Sequence, residues 1–488
     1  MTPLDFDPKR VLLLNSNLMR PPVTPVALDY LASSLEMQGF QADILDLCFA
    51  TSWPGELDQY LKNHLPLAIG LTVRNSDDCY YQSQDFIIPR IGEIVHYIKQ
   101  RTKRPIILGG VGFSVMPERI LEFLDLDLGI WGDGEWALSE FMLRLSEGNE
   151  PYRSPGLIYR RAGKFKKNTA NLKDILDLPL PRRDAVDNLR YLREGGMVGI
   201  ETKRGCDQKC IFCADPLAKG KKCRLRPLKT VVDEIENLIT KGVDYFHICD
   251  SEFNLPYSHA VEVCQEIVRQ GLGKKINWYA YLSPVPFGRE LAYLMKKAGC
   301  KGIDFGADHG DDRMLKNLGR SFRPEDLKQT AAICHEYGIT FMYNLLLGGP
   351  GEDRQSLQRA IKLMKEINPS RVGISAGVRI YPGTRLAEVA KEEGINEQNP
   401  NLRGVIAPDL LAPIFYVSHE VGNEITEVIS SLVDKDERFF FGGKEEDPAN
   451  YNYNENSVLM EAIKKGYRGA FWDILRKIAQ GYPPDYPT

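Results

Sequence analysis

Three cysteines stand within eight residues, at Cys206, Cys210 and Cys213. Thiolate is the side chain that holds iron–sulfur clusters and much structural zinc, and one loop with this spacing can wrap a single metal centre. A four-iron cube offers four irons to ligate, so three thiolates leave one iron open to a group that is not protein. Zinc in a structural role asks for four closed ligands, commonly two separated pairs, and the sequence places no second pair nearby. Core cysteines meeting by coincidence are the remaining reading, although buried cysteines have no reason to gather at this spacing in a loop. The strand-like run Met197–Thr202 precedes the loop and would present the thiols at a strand end.

A strand–helix unit recurs six times from residue 196 to about 390, with strands expected at 197–202, 245–249, 276–282, 302–306, 339–347 and 372–380. Amphipathic stretches such as Leu228–Ile239 lie between them. Parallel units of this kind close toward a barrel whose chemistry gathers at the carboxyl-end loops. Those loops carry Asp250-Ser251-Glu252, Asp308 with Arg320 beyond it, Gly348–Glu352 and Tyr381–Thr384.

Residues 1–150 alternate apolar runs with helical patterns, giving strands at 11–17, 42–47, 67–73, 105–110 and 128–131. Continuous apolar strands separated by helices imply a doubly wound parallel sheet with its ligand at the strand carboxyl ends. Ser16, Asn17, Arg74, Asn75, Gly109, Gly110, Val111, Gly132, Asp133, Gly134 and Glu135 stand there. Dinucleotide spacing of glycines is absent, which disfavours nicotinamide or flavin. Residues 151–195 read as a connector with a hairpin around Ala162-Gly163 and an extended spacer at 178–181. Residues 391–488 read as mainly helical and aromatic-rich, on the substrate side.

At 488 residues the chain suggests about three domains. A net charge of -4 with both signs interspersed gives no footprint for nucleic acid, so a small molecule or peptide is the expected substrate. The opening Met1–Asp7 lacks a charged-then-apolar leader, and no apolar run reaches membrane-spanning length. The expected location is cytoplasmic. Ten cysteines, seven of them scattered, make no disulfide framework.

With Phe212 directly before the last cysteine of CxxxCxxC, the chain resembles the radical S-adenosylmethionine enzymes. The doubly wound domain ahead of the core, with Pro21-Pro22-Val23-Thr24-Pro25, Gly109-Gly110 and Gly132–Glu135, resembles the cobalamin-binding domain of their cobalamin-dependent branch. The resemblance implies a Rossmann-like α/β domain, then a partial (βα)6 barrel, then a mainly helical end. It implies a 4Fe-4S cluster on Cys206, Cys210 and Cys213, with Phe212, Asp250, Ser251, Glu252, Asp308 and Arg320 around S-adenosylmethionine. Cobalamin would lie on the strand-end residues of the first domain, and a flavodoxin or ferredoxin would supply electrons. One electron would cleave S-adenosylmethionine to a deoxyadenosyl radical, and a methyl group would pass from cobalamin to an unreactive carbon or phosphorus centre. A rearrangement, cyclisation or ring oxidation without methyl transfer is the rival within enzymes; a non-catalytic corrinoid or electron carrier is the rival outside them.

One departure bears on cobalt. The DxHxxG motif that supplies a histidine ligand in many corrinoid proteins is absent, and His64 and His96 lie in the wrong context. Arg74, after the third strand, is placed either near the face of cobalt that lacks this ligand or in a salt bridge with Asp77 or Asp78. The thiol loop gives the first test: anaerobically reconstituted protein should hold one four-iron cluster, and Cys206→Ala, Cys210→Ala or Cys213→Ala should each abolish its absorbance and iron content. A full cluster in the triple variant would sink the assignment.

Overall fold

Short runs of buried aliphatic residues pair in parallel when helices cover both faces of the sheet they form. In the computed structural model, which describes residues 7–170, 178, 180–441 and 453–486, this happens twice. Residues 1–6, Pro179 of the expected spacer and Tyr451 of the aromatic tail lie outside the described residues. The first sheet contains β1 (Arg10–Asn15), β2 (Gln41–Asp46), β3 (Ala68–Thr72), β4 (Ile106–Gly109) and β5 (Leu128–Ile130), all parallel in the order β2-β1-β3-β4-β5. The polarity therefore reverses beside β1, the kind of position where such folds bind ligands.

The hairpin expected at Ala162-Gly163 forms, with φ of +50° and +74° at the two turn residues, the backbone that a two-residue hairpin requires. Its strands, β6 (Leu157–Arg161) and β7 (Lys164–Lys167), do not stand between domains. They extend the first sheet antiparallel to β5, because Leu157 and Ile158 bury completely against it. Three lysines on β7 leave the exposed edge charged, which discourages further pairing.

The second sheet begins with β8 (Val198–Ile200). A small ribbon of β9 (Lys203–Arg204) and β10 (Arg224–Leu225) follows. Then come β11 (Tyr245–Ile248), β12 (Asn277–Leu282), β13 (Cys300–Asp308), β14 (Thr340–Leu347) and β15 (Arg371–Ala376), each parallel to its predecessor. The expected sixth strand breaks at Gly377, φ +84°, and continues as β16 (Val378–Arg379). β16 joins β17 (Leu402–Gly404) and β18 (Ile414–Tyr416) in a separate antiparallel sheet. β19 (Phe439–Phe440) adds to the outer edge of β15, so the aromatic tail contributes strand as well as helix. β8 and β19 remain the two edges, which makes the barrel partial.

Alternation along the strands decides what enters the barrel. On β12, Tyr279 points inward and meets Trp472 of the helix Phe471–Ala479 at 6.2 Å between ring centroids, while its hydroxyl donates to Asp473 at 2.8 Å. This aromatic plug closes the amino end of the barrel. The other end faces the first sheet, and buried charges hold the two together. Arg183, with 0% side-chain exposure, donates to Asp29 at 3.0 Å and Glu234 at 2.5 Å. Arg204 of the barrel meets Glu135 at 2.5 Å and Glu201 at 2.8 Å, and Arg224 pairs with Asp133.

Candidate functional site

Between the facing strand ends lies a cavity of about 830 Å³. From the first domain it is lined by Ser16, Asn17, Arg74, Asn75 and Val111, and from the barrel side by Phe212, Cys213 and Ser375. Val111 also borders a narrower cavity of about 140 Å³ that runs into the first domain among Leu13, Leu28, Leu71, Ile107, Gly109, Gly110, Gly132 and Gly134. The expected ligand residues of the first domain thus divide between a broad chamber and an apolar slot.

Backbone packing builds the floor of the chamber. Gly112 donates its N–H to the carbonyl of Arg74 at 3.0 Å, and a Cβ there would stand 2.8 Å from the Asn75 backbone. Gly110, φ +105°, comes equally close to Val73. Only glycine permits this contact, which fixes the Arg74 loop against the helix Val111–Val115. The side chain of Arg74 forms no ion pair among the described residues, and burial lowers its pKa from the ordinary value. No ion pair of Arg74 with Asp77 or Asp78 forms among the described residues. Asp77 is fully buried and receives Arg379 at 3.0 Å and the Tyr381 hydroxyl at 3.0 Å, whereas Ser83 donates to Asp78.

These features suit a corrinoid. A broad chamber joined to an apolar slot matches a flat macrocycle with an aromatic tail. Asn17 directs an amide N–H₂ that has no hydrogen-bond partner among the described residues, a donor suited to the ligand's amide or phosphate oxygens. No histidine lines either cavity. His64 caps a helix and His96 meets Gln100 on the surface, as their sequence context indicated.

Two residues assigned to cofactor contact have other employment. Asp133 and Glu135 border the slot, yet their charges are engaged by Arg224 and Arg204, and Glu135 is only 3% exposed. Sequence could place them at a strand end but could not supply the arginines, which arrive from the other domain.

On the barrel side, the thiol loop rests on Leu318, whose carbonyl accepts the Ile211 N–H at 3.1 Å. Burial pushes the Cys206 thiol up and the Cys210 thiol up to about 12, so thiolate here calls for a bound cation. No group of three His, Cys, Asp or Glu side chains among the described residues converges on a point suited to one metal ion. A cube takes one sulfur at each of separate corners, and this arrangement suits it better than zinc. Beside Cys210 lie Glu252, Asp308 and Arg320. Arg320 pairs with Asp308 and stands 3.6 Å from Glu252. Asp308 has φ +56° where the β13–β14 register shifts, a strained conformation of the sort found at ligand sites. Burial pushes the Glu252 carboxyl up to about 7 against the pull of Arg320, and its Oε2 has no hydrogen-bond partner among the described residues. An orphaned carboxyl oxygen within electrostatic reach of Cys206 and Cys210 is what an ammonium or an open iron would satisfy.

Asp250 is engaged by the scaffold. It accepts from Thr202 N at 2.8 Å, Thr202 Oγ1 at 2.5 Å and Lys203 N at 3.2 Å, fixing the strand end from which the thiol loop departs. Ser251 donates to Asp215 at 2.6 Å, just beyond Cys213.

Sequence reasoning missed the barrel interior. Gly302 faces the plug, and Gly306 faces Arg320 and Glu252, so Asp304 between them points inward. Asn344 donates to it, and burial pushes its carboxyl up to about 8, with Glu252 adding to the rise. Tyr281 is 45% exposed although its strand is central in the sheet, so open space borders it. His247 meets it at 4.8 Å, and burial holds that imidazole down to about 4. Tyr453 lines the large cavity within electrostatic reach of Asp304 and Tyr281. The run Gly302-Ile-Asp-Phe-Gly306 carried a signal, one charge between two glycines on the inward face of a strand.

Residues 200–364 match the model of the radical SAM superfamily, and residues 19–142 match that of the B12 binding domain. The chain is 30% identical to the tryptophan 2-C-methyltransferase of Streptomyces laurentii, with 95% of each chain covered. It superposes with a TM-score of 0.91 and 30% identity on the radical S-adenosylmethionine methyltransferase TsrM of Kitasatospora setae, solved with tryptophan and a SAM analogue, covering 97% of this chain and 98% of that one. The cobalamin-dependent S-adenosylmethionine radical enzyme OxsB shares the fold at 18% identity and a TM-score of 0.71, over 87% of this chain and 66% of its own.

Asp304 makes the site's burial measurable. A carboxyl raised from its ordinary value to about 8 keeps its proton in the folded state while the unfolded chain has lost it, so stability falls as pH rises from about 4 to about 8. Chemical denaturation of cofactor-free protein should show Asp304→Asn losing less stability over that window than wild type, by on the order of 3 kcal/mol. Parallel pH profiles would contradict the buried assignment.

Proposed function

Since this chain belongs to the cobalamin-dependent radical S-adenosylmethionine methyltransferases, we propose that it methylates an unreactive carbon of tryptophan or a close indole-bearing relative, held in the barrel interior. The observation that carries this reading is the 45% exposure of Tyr281 on a central strand, with His247 in edge contact and the Asp304–Asn344 pair on the same inward side, above the Trp472 plug. Aromatic walls with a few convergent polar groups suit an aromatic amino acid. The tryptophan named for the relatives supports the same substrate class.

When bound, the cluster supplies single electrons, S-adenosylmethionine the methyl group and cobalamin its carrier. The chain's own residues bind and orient. Cys206, Cys210 and Cys213 would hold the cluster. Glu252, Asp308 and Arg320 would receive the amino-acid end of S-adenosylmethionine, with Phe212 at the chamber wall. The macrocycle would rest on the Ser16-Asn17, Arg74-Asn75 and Val111 loops, its tail in the slot beside Gly109, Gly110, Gly132 and Gly134. Arg74 carries no lone pair to offer cobalt, and its fork would keep water from the ligand-free face. Asp207 and Lys209 are exposed on the outer rim of the thiol loop, an approach for a flavodoxin- or ferredoxin-type reductant.

In this reading residues 1–150, with the β6–β7 hairpin added to their sheet, carry cobalamin, the rest of 151–195 connects, 196–390 hold the radical core and 391–488 close the substrate side, with Tyr453 contributing to the chamber. No described helix is long and apolar enough to cross a membrane. Ten free cysteines and an oxygen-sensitive centre fit the cytoplasm.

Reconstituted enzyme given tryptophan, S-adenosylmethionine and a reductant should release a product heavier by one CH₂ unit, detected by mass spectrometry. An isomer of unchanged mass, or a product lighter by hydrogen alone, would replace methyl transfer with rearrangement or oxidation. Electron paramagnetic resonance of the bound cob(II)alamin should show no nitrogen superhyperfine splitting. Arg74→Lys should still bind cobalamin but admit water beside cobalt and turn over more slowly; spectra and rates equal to wild type would remove Arg74 from this role.

A further inference from the structure

The barrel interior carries a charge imbalance. Asp304, Glu252 and Asp308 all face it, and Arg320 is the guanidinium among them, paired with Asp308 and near Glu252. Asp304, 5% exposed, has no ion pair among the described residues. Its neighbours are the Asn344 amide, the Tyr281 and Tyr453 hydroxyls and the Glu252 carboxyl. Arg371, at the start of β15, donates to the Glu437 backbone carbonyl and lies within electrostatic reach of Asp473 and Tyr453, with no ion pair to Asp304 among the described residues. Asn344 occupies Oδ1 and fixes the carboxyl plane, while Oδ2 receives no hydrogen bond among the described residues.

From this geometry we infer that Asp304, oriented by Asn344, is the substrate-reading residue that accepts the α-ammonium group of an amino-acid substrate. The inference rests on the substrate reading above and names the group that selects within it. An ammonium placed against the open oxygen of this buried carboxyl would favour its ionised form, and the charge-assisted hydrogen bond then made in such surroundings is a strong one. His247, held neutral by burial, does not compete as that cation. The aromatic side chain would then lie toward Tyr281 and His247, whose rings already form an edge contact at 4.8 Å. An analogue lacking the ammonium would leave the Asp304 carboxyl without its partner, which is how buried polar groups discriminate.

Isothermal titration of the cofactor-loaded protein with tryptophan and with indole-3-propionate, the same skeleton without the amino group, tests this. Wild type should bind tryptophan at least about tenfold more tightly. Asp304→Asn, nearly isosteric, should bring tryptophan to within about twofold of the propionate while leaving propionate affinity unchanged. Asn344→Ala, which frees the carboxyl to rotate, should reduce the preference in the same direction. Retention of the full preference in Asp304→Asn, or equal affinities in wild type, would overturn the assignment of Asp304 with the substrate class intact. Wild type that binds neither compound would refute the aromatic amino-acid reading itself.

Discussion

Everything at the site depends on a seam of buried charge between the two sheets. Arg204 reaches from β9 to Glu135 at the amino end of a first-domain helix and to Glu201 beside it, while Arg224 on β10 takes Asp133. A second knot, Arg183 with Asp29 and Glu234 and Arg226 with Glu234 at 2.7 Å, is buried. Such pairs gain little against an apolar replacement, but an unpaired member would be strongly destabilising, by about 3–5 kcal/mol. Their effect is to permit one arrangement of the two domains, with the strand carboxyl ends opposed and the chamber between them.

The chamber wall obeys the opposite rule. Asp77 of the Arg74 loop is claimed by Arg379 and Tyr381 across the seam, and the Gly112 contact holds the loop from its own side. With both nearby aspartates engaged elsewhere, Arg74 faces the cavity without an ion pair among the described residues. Glu252, Asp304 and the Asn17 amide are likewise left with unmet capacity where they face the cavities or the barrel interior. Charge is balanced where the structure must be rigid and left unbalanced where ligands enter, as expected if bound groups complete the electrostatics.

Composition of the loops follows from this division. Asp250 and Glu252 are two residues apart at one strand end, yet Asp250 binds the backbone of Thr202 and Lys203 and Glu252 faces the thiols. Within a strand residues two apart share a face, but β11 ends at Ile248, and in the loop beyond it that alternation no longer holds, so near neighbours divide between scaffold and site.

The sequence alone determined what local pattern can carry. Apolar runs and their spacing specified the parallel strands of both large sheets except β19, because burial on two faces leaves a periodic mark, whereas the short strands β9, β10, β17 and β18 left none. The three thiols announced their chemistry because their ligand spacing is local, and the glycine turns marked the loops that approach a ligand. Only the tertiary structure decided which charges are spent and which are free. Arg379 lies some three hundred residues from Asp77, and Glu135 and Arg204 stand in different domains, so no local pattern records either pairing. The inward turn of Asp304, the room beside Tyr281 and the hairpin's transfer to the first sheet are likewise set by packing between distant elements. Pairing and free space depend on distances through the fold, and those distances exist only after the chain has closed upon itself.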